Sequence, residues 1–368
     1  MWENWLKPLK KEFAEKQRAL ANWQFGKRIL SNSEGQAMPD VKKHTLALVG
    51  LSAEEADAVR SVLYHLSFPF DDMNIVDLGN LHKSDIGFVV PFLSELLQGD
   101  ILPILIGHTE GSIWAQYQAY HIRRNSVNMA VVDEQIHFAV PRRESDYLNK
   151  ILEDNHLFNI SLLAYQAHYI DPSVLQHFER KNYELVRLGK IRANSEEVEP
   201  IIRDADLVSI SLSALKMSDA PAQLQGSPSG LTSEEACQIA RYAGMSDKLT
   251  SFGIYGFRKK LDRDQQTAQV IAQMIWYFLD GYANRKQDFP IQKAFDQLTQ
   301  YIVEFKNAEE RLIFWRSNKS GRWWMEIPVK TRKKHERHRL IPCSYNDYLL
   351  ACNDDLPERL LNAYRRFT

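Results

Sequence analysis

Residues 209–232 read SISLSALKMSDAPAQLQGSPSGLT, and the apolar run that leads into them, ADLVSISLS (205–213), is nearly unbroken. A strand with one face in water alternates apolar and polar residues, so a continuous run of this length reads as a strand covered on both sides. The prolines and glycines of APAQLQGSPSG (220–230) then exclude any regular element. EEACQIARYAG (234–244) follows with the spacing of a helix. Strand, loop, helix is the repeating unit of a parallel sheet with helices on its faces.

The same unit recurs on both sides of this stretch. Upstream, HTLALVG (44–50), NIVDLGN (74–80), LPILIG (102–107), NMAVVD (128–133), NISLLAY (159–165) and YELVRLG (183–189) are short apolar runs. Helical segments such as EEADAVRSVLYHL (54–66), VVPFLSELLQ (89–98) and WAQYQAYHIRR (114–124) separate the first of them. Downstream come KLTSFGIYG (248–256) and the long helix TAQVIAQMIWYFLDGY (267–282). The pattern predicts an α/β domain over residues 41–300 with about eight strands in a central parallel sheet.

Both ends differ from this body. Residues 1–40 read as an amphipathic helix over 1–30, with Trp2, Trp5, Leu6, Leu9 and Phe13 at helical spacing, and a polar linker, SNSEGQAMPD. Residues 301–368 form an appendage in which RLIFWRSNKSGRWWMEIP (311–328) predicts two strands joined by a polar turn. KTRKKHERHR (330–339) and a helical NDYLLACNDDLPERLLNAYRRF (346–367) complete it. This appendage carries 14 Lys and Arg against 9 Asp and Glu, a net charge of +5, whereas the whole 368-residue chain has −1.

Composition narrows the function classes. With 44% hydrophobic and 25% charged residues the chain is ordinarily globular, and its near-neutral charge argues against bulk attraction to nucleic acid or membranes. The N-terminus lacks the apolar core of a signal peptide, and VIAQMIWYFLDG, broken by Gln273, is too short to span a bilayer. Three cysteines without a CxxC pair give neither a disulfide framework nor a zinc motif. A cytoplasmic protein is the expectation. His108, His121, His156, His168 and His177 show no metal-binding spacing and read as surface or hydrogen-bonded core residues, with His168 a candidate for a pocket lining.

Four stretches give the α/β body a resemblance to a known family. The first is LPILIGHTEGSIWAQY (102–117) and the second VVDEQIHF (131–138). The third is the 209–232 segment, with Ala220-Pro221, Pro228 and Gly230-Leu231-Thr232, and the fourth is GFRKKLDRDQQTA (256–268), with Asp262, Thr267 and Ala268. In order and framework they resemble the motifs of the ureohydrolase superfamily: arginases, agmatinases and formimidoylglutamases. The resemblance implies a three-layer α/β/α fold and self-association. It also implies a pocket at the carboxyl ends of the strands, where two manganese ions share a hydroxide that attacks an amidine carbon.

The residues at the family's ligand positions do not follow the pattern. Glu110 stands where the family's first histidine binds metal. Asp133, Gln135 and His137 stand where it has Asp, His and Asp. Ser211 and Ser213 replace the two aspartates of the third motif, and Gly256 replaces a glutamate that contacts substrate. Two adjacent divalent ions repel strongly and need several carboxylates, which neutral hydroxyls do not replace. The expected role is therefore non-catalytic: a binding or interaction protein without the binuclear site and without a cofactor, recognising a small molecule or a protein.

The alternatives are a divergent C–N hydrolase holding one divalent metal, such as manganese, on Glu110, Asp133 and His137, and a nucleic-acid-associated protein working through its tail. In the tail, Trp315, Trp323 and Trp324 beside Arg332, Lys333 and Lys334 are the candidate partner-binding surface. They read more readily as core tryptophans next to a solvated loop. Two adjacent tryptophans on a strand point to opposite faces, which predicts that one of them is exposed.

Overall fold

The computed structural model describes residues 4–70, 73–122, 126–134, 147–290, 295–305, 311–329 and 333–367. The chain opens with β1 (Leu6–Lys7), α1 (Lys11–Ala19), α2 (Phe25–Arg28) and β2 (Leu30–Ser31). It then alternates through β3 (Leu46–Gly50), α3 (Ala53–Leu63), β4 (Ile75–Leu81), α4 (Ile86–Gln98), β5 (Leu102–Ile106) and α5 (Ser112–Gln118). Next come β6 (Val127–Val132), α6 (Tyr147–Leu152), β7 (Leu157–Tyr165), α7 (Pro172–Arg180), β8 (Glu184–Arg187), α8 (Leu188–Ala193) and α9 (Val198–Arg203). The body closes with β9 (Leu207–Ser211), α10 (Ser233–Met245), β10 (Ser251–Tyr255) and α11 (Gln266–Ala283).

These strands make one sheet in the order β1-β4-β3-β5-β10-β9-β6-β7-β8, with β2 also on β4. Only β1 runs antiparallel to its neighbour. Every residue of β3, β4, β5, β6, β9 and β10 is buried, which is why their sequences are mostly apolar runs, broken in β4 by the buried Asp77 and Asn80. The pleat sends alternate side chains to two cores. Leu46 and Leu48 of β3 join α3 and α8 to α11 on one face, and Ala47 and Val49 join α4 to α7 on the other. The three layers and the parallel strands β3 to β10 agree with the sequence reading.

Local chemistry fixes the helix ends. Thr232 and Glu235 form a reciprocal capping box at the start of α10, and Asp171 caps α7 just before Pro172. Helices α10 and α11 cross closely through two glycines. A Cβ on Gly244 would sit 2.0 Å from the carbonyl oxygen of Phe278, and one on Gly281 2.2 Å from that of Arg241.

The N-terminal segment departs from the expected helix. Pro8 lacks the N–H and the ring geometry to continue one, and the chain there lies along the open edge of β4. Leu6 pairs with Leu81 through β1, and Leu30 pairs with Val76 through β2. The polar stretch beginning at Ser31 is no free linker, because Ser31, Asn32 and Ser33 are buried. Together these pieces cover an edge that would otherwise offer unpaired backbone groups to another chain.

The appendage is a second, antiparallel sheet of β11 (Leu298–Glu304), β12 (Arg311–Ser317), β13 (Trp323–Glu326) and β14 (Leu340–Cys343), with α12 (Tyr345–Cys352) and α13 (Glu358–Phe367). The predicted hairpin is β12–β13. The predicted terminal helix is two helices, because Asp354 takes a left-handed backbone and Pro357 precedes α13. One face of the sheet packs Phe314, Trp323, Met325 and Ile341 against Ala351, Leu360 and Ala363 of the two helices.

Both adjacent tryptophans are buried, Trp323 at 7% and Trp324 at 1% exposure, so the expectation of one exposed indole is overturned. They do point to opposite faces, but each face is covered. Trp323 stacks on Tyr348, and Trp324 lies under the Arg203 guanidinium of α9 at 4.5 Å. Trp315, paired with Trp324 across the strands, is half-buried.

The basic run also turns inward where it is described. Arg337 pairs with the buried Asp206, Arg339 pairs with Glu326, and His338 is fully buried against Phe158. It is therefore not a wholly solvated loop. Arg332 lies outside the described residues, as do the side chains of Lys333 and Lys334. Among the described residues no helix is long and apolar enough to cross a membrane.

Candidate functional site

The sheet order brings four sequence-distant strand ends together. β5, β10, β9 and β6 are consecutive neighbours, with Ile106 beside Ile254, Tyr255 beside Ser211, and Val132 beside Ile210. Glu110 follows β5, Asp133 follows β6, Ser211 ends β9 and Gly256 follows β10. In parallel α/β sheets this carboxyl edge is where ligands bind. Gln135 and His137 fall outside the described residues, and with them the third ligand of the single-metal set.

A hydrogen-bonded chain runs through the site. Ser213 Oγ donates to Asp133 Oδ1 at 2.5 Å, and Tyr147 OH donates to Asp133 Oδ2 at 2.8 Å. Ser213 has one hydroxyl proton, already given to the carboxylate, so in its 2.7 Å contact with Ser211 Oγ it accepts and Ser211 donates. Ser211 and Asp133 are buried, and each Asp133 oxygen accepts from a hydroxyl. Burial above all, then the Asp133 charge and hydrogen bond and the Glu110 charge, push the Tyr147 phenol well above its ordinary pKa and keep it a donor.

Removing a donor from a buried carboxylate exposes the full desolvation penalty of the group. Tyr147→Phe should therefore cost about 1–3 kcal/mol of stability, read as a lower urea midpoint at unchanged slope. An unchanged midpoint would mean that Asp133 does not depend on this bond.

Glu110 and Gly256 are linked in space. Gly256 has φ +88°, and a Cβ there would lie 2.5 Å from Glu110 Oε1. The Glu110 carboxylate thus fills the space that a side chain on residue 256 would need. A glutamate at 256 would need a left-handed backbone and a shift of the Glu110 carboxylate.

A second buried carboxylate, Glu134, was not singled out from the sequence. It is fully buried and accepts from Gln166 Nε2 at 2.9 Å, and Gln166 also reaches the Ser229 carbonyl at 3.1 Å. This ties the end of β6 to the 209–232 loop. Tyr147 was missed as well: Glu134 lies inside the second motif but at no ligand position, and Tyr147 belongs to no motif. His168 is exposed beside Tyr169, whose hydroxyl lies 3.3 Å from Ser227 Oγ.

Among the described residues the ligand positions are poor in charge for two manganese ions. At the described ligand positions the side chains are two carboxylates and two neutral hydroxyls, and the Asp133 oxygens are engaged by hydroxyl donors. A cavity of about 650 Å³ lies elsewhere, between β8 and the appended helices, and Glu184, Lys190, Asp347 and Arg359 are among its lining.

No family model matches the sequence, and no curated protein is similar enough to match. Among solved structures the fold is clear. Formimidoylglutamase from Bacillus subtilis superposes with a TM-score of 0.60 at 16% identity, over 68% of this chain and 90% of that one. Trypanosoma cruzi formiminoglutamase with Mn2+ gives 0.61 at 15% identity, over 68% and 97%. Proclavaminate amidino hydrolase from Streptomyces clavuligerus gives 0.55 at 15%, over 67% and 94%. The protein has an arginase-like fold.

Proposed function

We propose that this is a non-catalytic binding or interaction protein built on an arginase-like fold, in which a hydroxyl–carboxylate network stands where the fold's hydrolases hold two manganese ions. The observation that carries this reading is the chain Ser211–Ser213–Asp133–Tyr147. Asp133, the one side chain unchanged from the family's ligand pattern, accepts a hydroxyl proton at each of its oxygens. Bridging carboxylates do two things in a binuclear centre: they offset the repulsion between the metals and hold them a fixed distance apart. Serine hydroxyls at 211 and 213 do neither.

The ligand is a small polar molecule or a protein. The cavity between β8 and the appended helices has the volume of a small-molecule site and carries charges of both signs, which suits a polar ligand. The tail is a weaker site for a partner, because Trp324 and Arg337 are engaged with Arg203 and Asp206 of the body, and Trp323 and Arg339 are engaged within the appendage.

An activity assay tests the reading. Purified protein supplied with manganese should turn over neither arginine, agmatine nor formimidoylglutamate above background. Turnover that rises with manganese and vanishes in Asp133→Asn would replace this reading with that of a divergent amidine hydrolase.

A further inference from the structure

At the opposite, amino-terminal end of the sheet, three side chains that no motif links come together. His121 lies just beyond the C-terminus of α5, and Asp154 and His156 lie in the turn between α6 and β7. His121 Nε2 is 3.3 Å from Asp154 Oδ2, and His156 Nδ1 is 3.0 Å from Asp154 Oδ1. The two imidazoles are stacked with centroids 4.2 Å apart and planes 15° from parallel. The three ligand atoms all lie within 4.8 Å of one another, the one such group of His, Cys, Asp and Glu among the described residues.

A second observation points the same way. The His121 Nε2 atom is buried yet makes no hydrogen bond, although the Asp154 carboxylate is near enough to attract it. A buried ring nitrogen with no aligned partner calls for an explanation, and an ion shared with that carboxylate supplies one.

We infer that His121, Asp154 and His156 form a mononuclear site for a divalent transition ion of the zinc type. Two imidazoles and one carboxylate are a common donor set for such ions, with a further position left for water. A tetrahedral ion with bonds of about 2.0–2.1 Å holds its ligand atoms about 3.3 Å apart. The two imidazoles lie 3.3 and 3.0 Å from Asp154 but against different oxygens, and their planes are nearly parallel, so binding one ion requires both rings to turn towards a shared point and the Nδ1 proton of His156 to leave. Asp154 is preset: the His156 backbone N–H donates to Oδ1 at 2.7 Å and the Tyr117 hydroxyl at 3.2 Å.

The protonation states agree with the geometry. Burial opposes ionisation of Asp154, but the His156 N–H, the His121 charge and further hydrogen bonds outweigh it and hold the carboxyl below its ordinary range. Burial, more than the opposing pull of Asp154, lowers the His121 pKa and favours the neutral, ligating imidazole. At 24%, 16% and 35% exposure the three side chains can be reached by an ion from solution. Such an ion would pin the end of α5 to the turn before β7, which is a structural rather than a catalytic task.

This site is independent of the strand-end network, and its test separates the two. Tag-free protein stripped with chelator would be titrated with zinc chloride, following heat and the thermal midpoint. One equivalent should bind and raise the midpoint, and EDTA should reverse the rise. His121→Ala and His156→Ala should each weaken binding by at least about 100-fold, more than loss of a supporting residue costs. Asp133→Asn should bind zinc like the wild type. His156, the most exposed of the three, is the variant expected to fold normally, and circular dichroism would verify this. Absence of saturable uptake below about 100 μM, which corresponds to binding weaker than roughly 5.5 kcal/mol, overturns the inference. So does uptake that survives both histidine variants.

Discussion

Asp77→Ala should destabilise the protein by about 3–5 kcal/mol, the range for a buried ion pair that loses one partner. Asp77 sits in β4 with no exposed side-chain surface, and the equally buried Arg60 of α3 holds it through Nε at 2.7 Å and Nη2 at 3.0 Å. The guanidinium also donates to Asn80 Oδ1, the Gly79 carbonyl and Asp57 Oδ1. Tyr64 OH and the Gly79 N–H complete the shell of Asp77. Deleting the carboxylate leaves a charged guanidinium in the core with its main counter-charge gone.

The pair itself adds less than that loss suggests, because ion and counter-ion both gave up hydration. The double variant Arg60→Met/Asp77→Leu should therefore be more stable than Asp77→Ala alone. Urea unfolding followed by circular dichroism reads both effects. A single variant within 1 kcal/mol of wild type would show that the network contributes little.

The second large effect is expected at the junction of the two sheets. Trp324→Ala removes a 1%-exposed indole from the face that β13 turns towards α9, and should cost about 3–5 kcal/mol. It also strips the cover from Arg203, whose Nη2 reaches the Trp323 and Cys343 carbonyls at 3.2 and 3.4 Å and whose Nε pairs with Glu199 at 2.9 Å. Because these contacts dock the appendage, limited proteolysis should cut within residues 298–367 faster in the variant. Equal cleavage and an unchanged unfolding midpoint would contradict a docked appendage.

The parallel sheet was legible because burial on both faces forces continuous apolar runs such as LALVG (46–50) and LVSIS (207–211). The N-terminal segment was misread because helical spacing of Leu6, Leu9 and Phe13 also suits a chain that Pro8 straightens along a sheet edge. At the strand ends, the serines at 211 and 213 were legible by position. The contact between Glu110 and Gly256 was not, since a glycine after one strand and a carboxylate after another become one feature only when the strands are adjacent. The His121–Asp154–His156 group escaped for the same reason: its members share no local spacing. Trp323 and Trp324 were rightly assigned to opposite faces, but their burial depends on α9 and α12, which no local pattern connects to β13.

Metal stoichiometry tests the central claim most directly. Protein purified without chelator, dialysed against manganese and measured by plasma mass spectrometry should hold well under one manganese per chain. Any single ion that copurifies should disappear in His156→Ala and persist in Asp133→Asn. Two equivalents of manganese per chain, lost together in Asp133→Asn, would contradict the account and restore a binuclear centre to the strand ends.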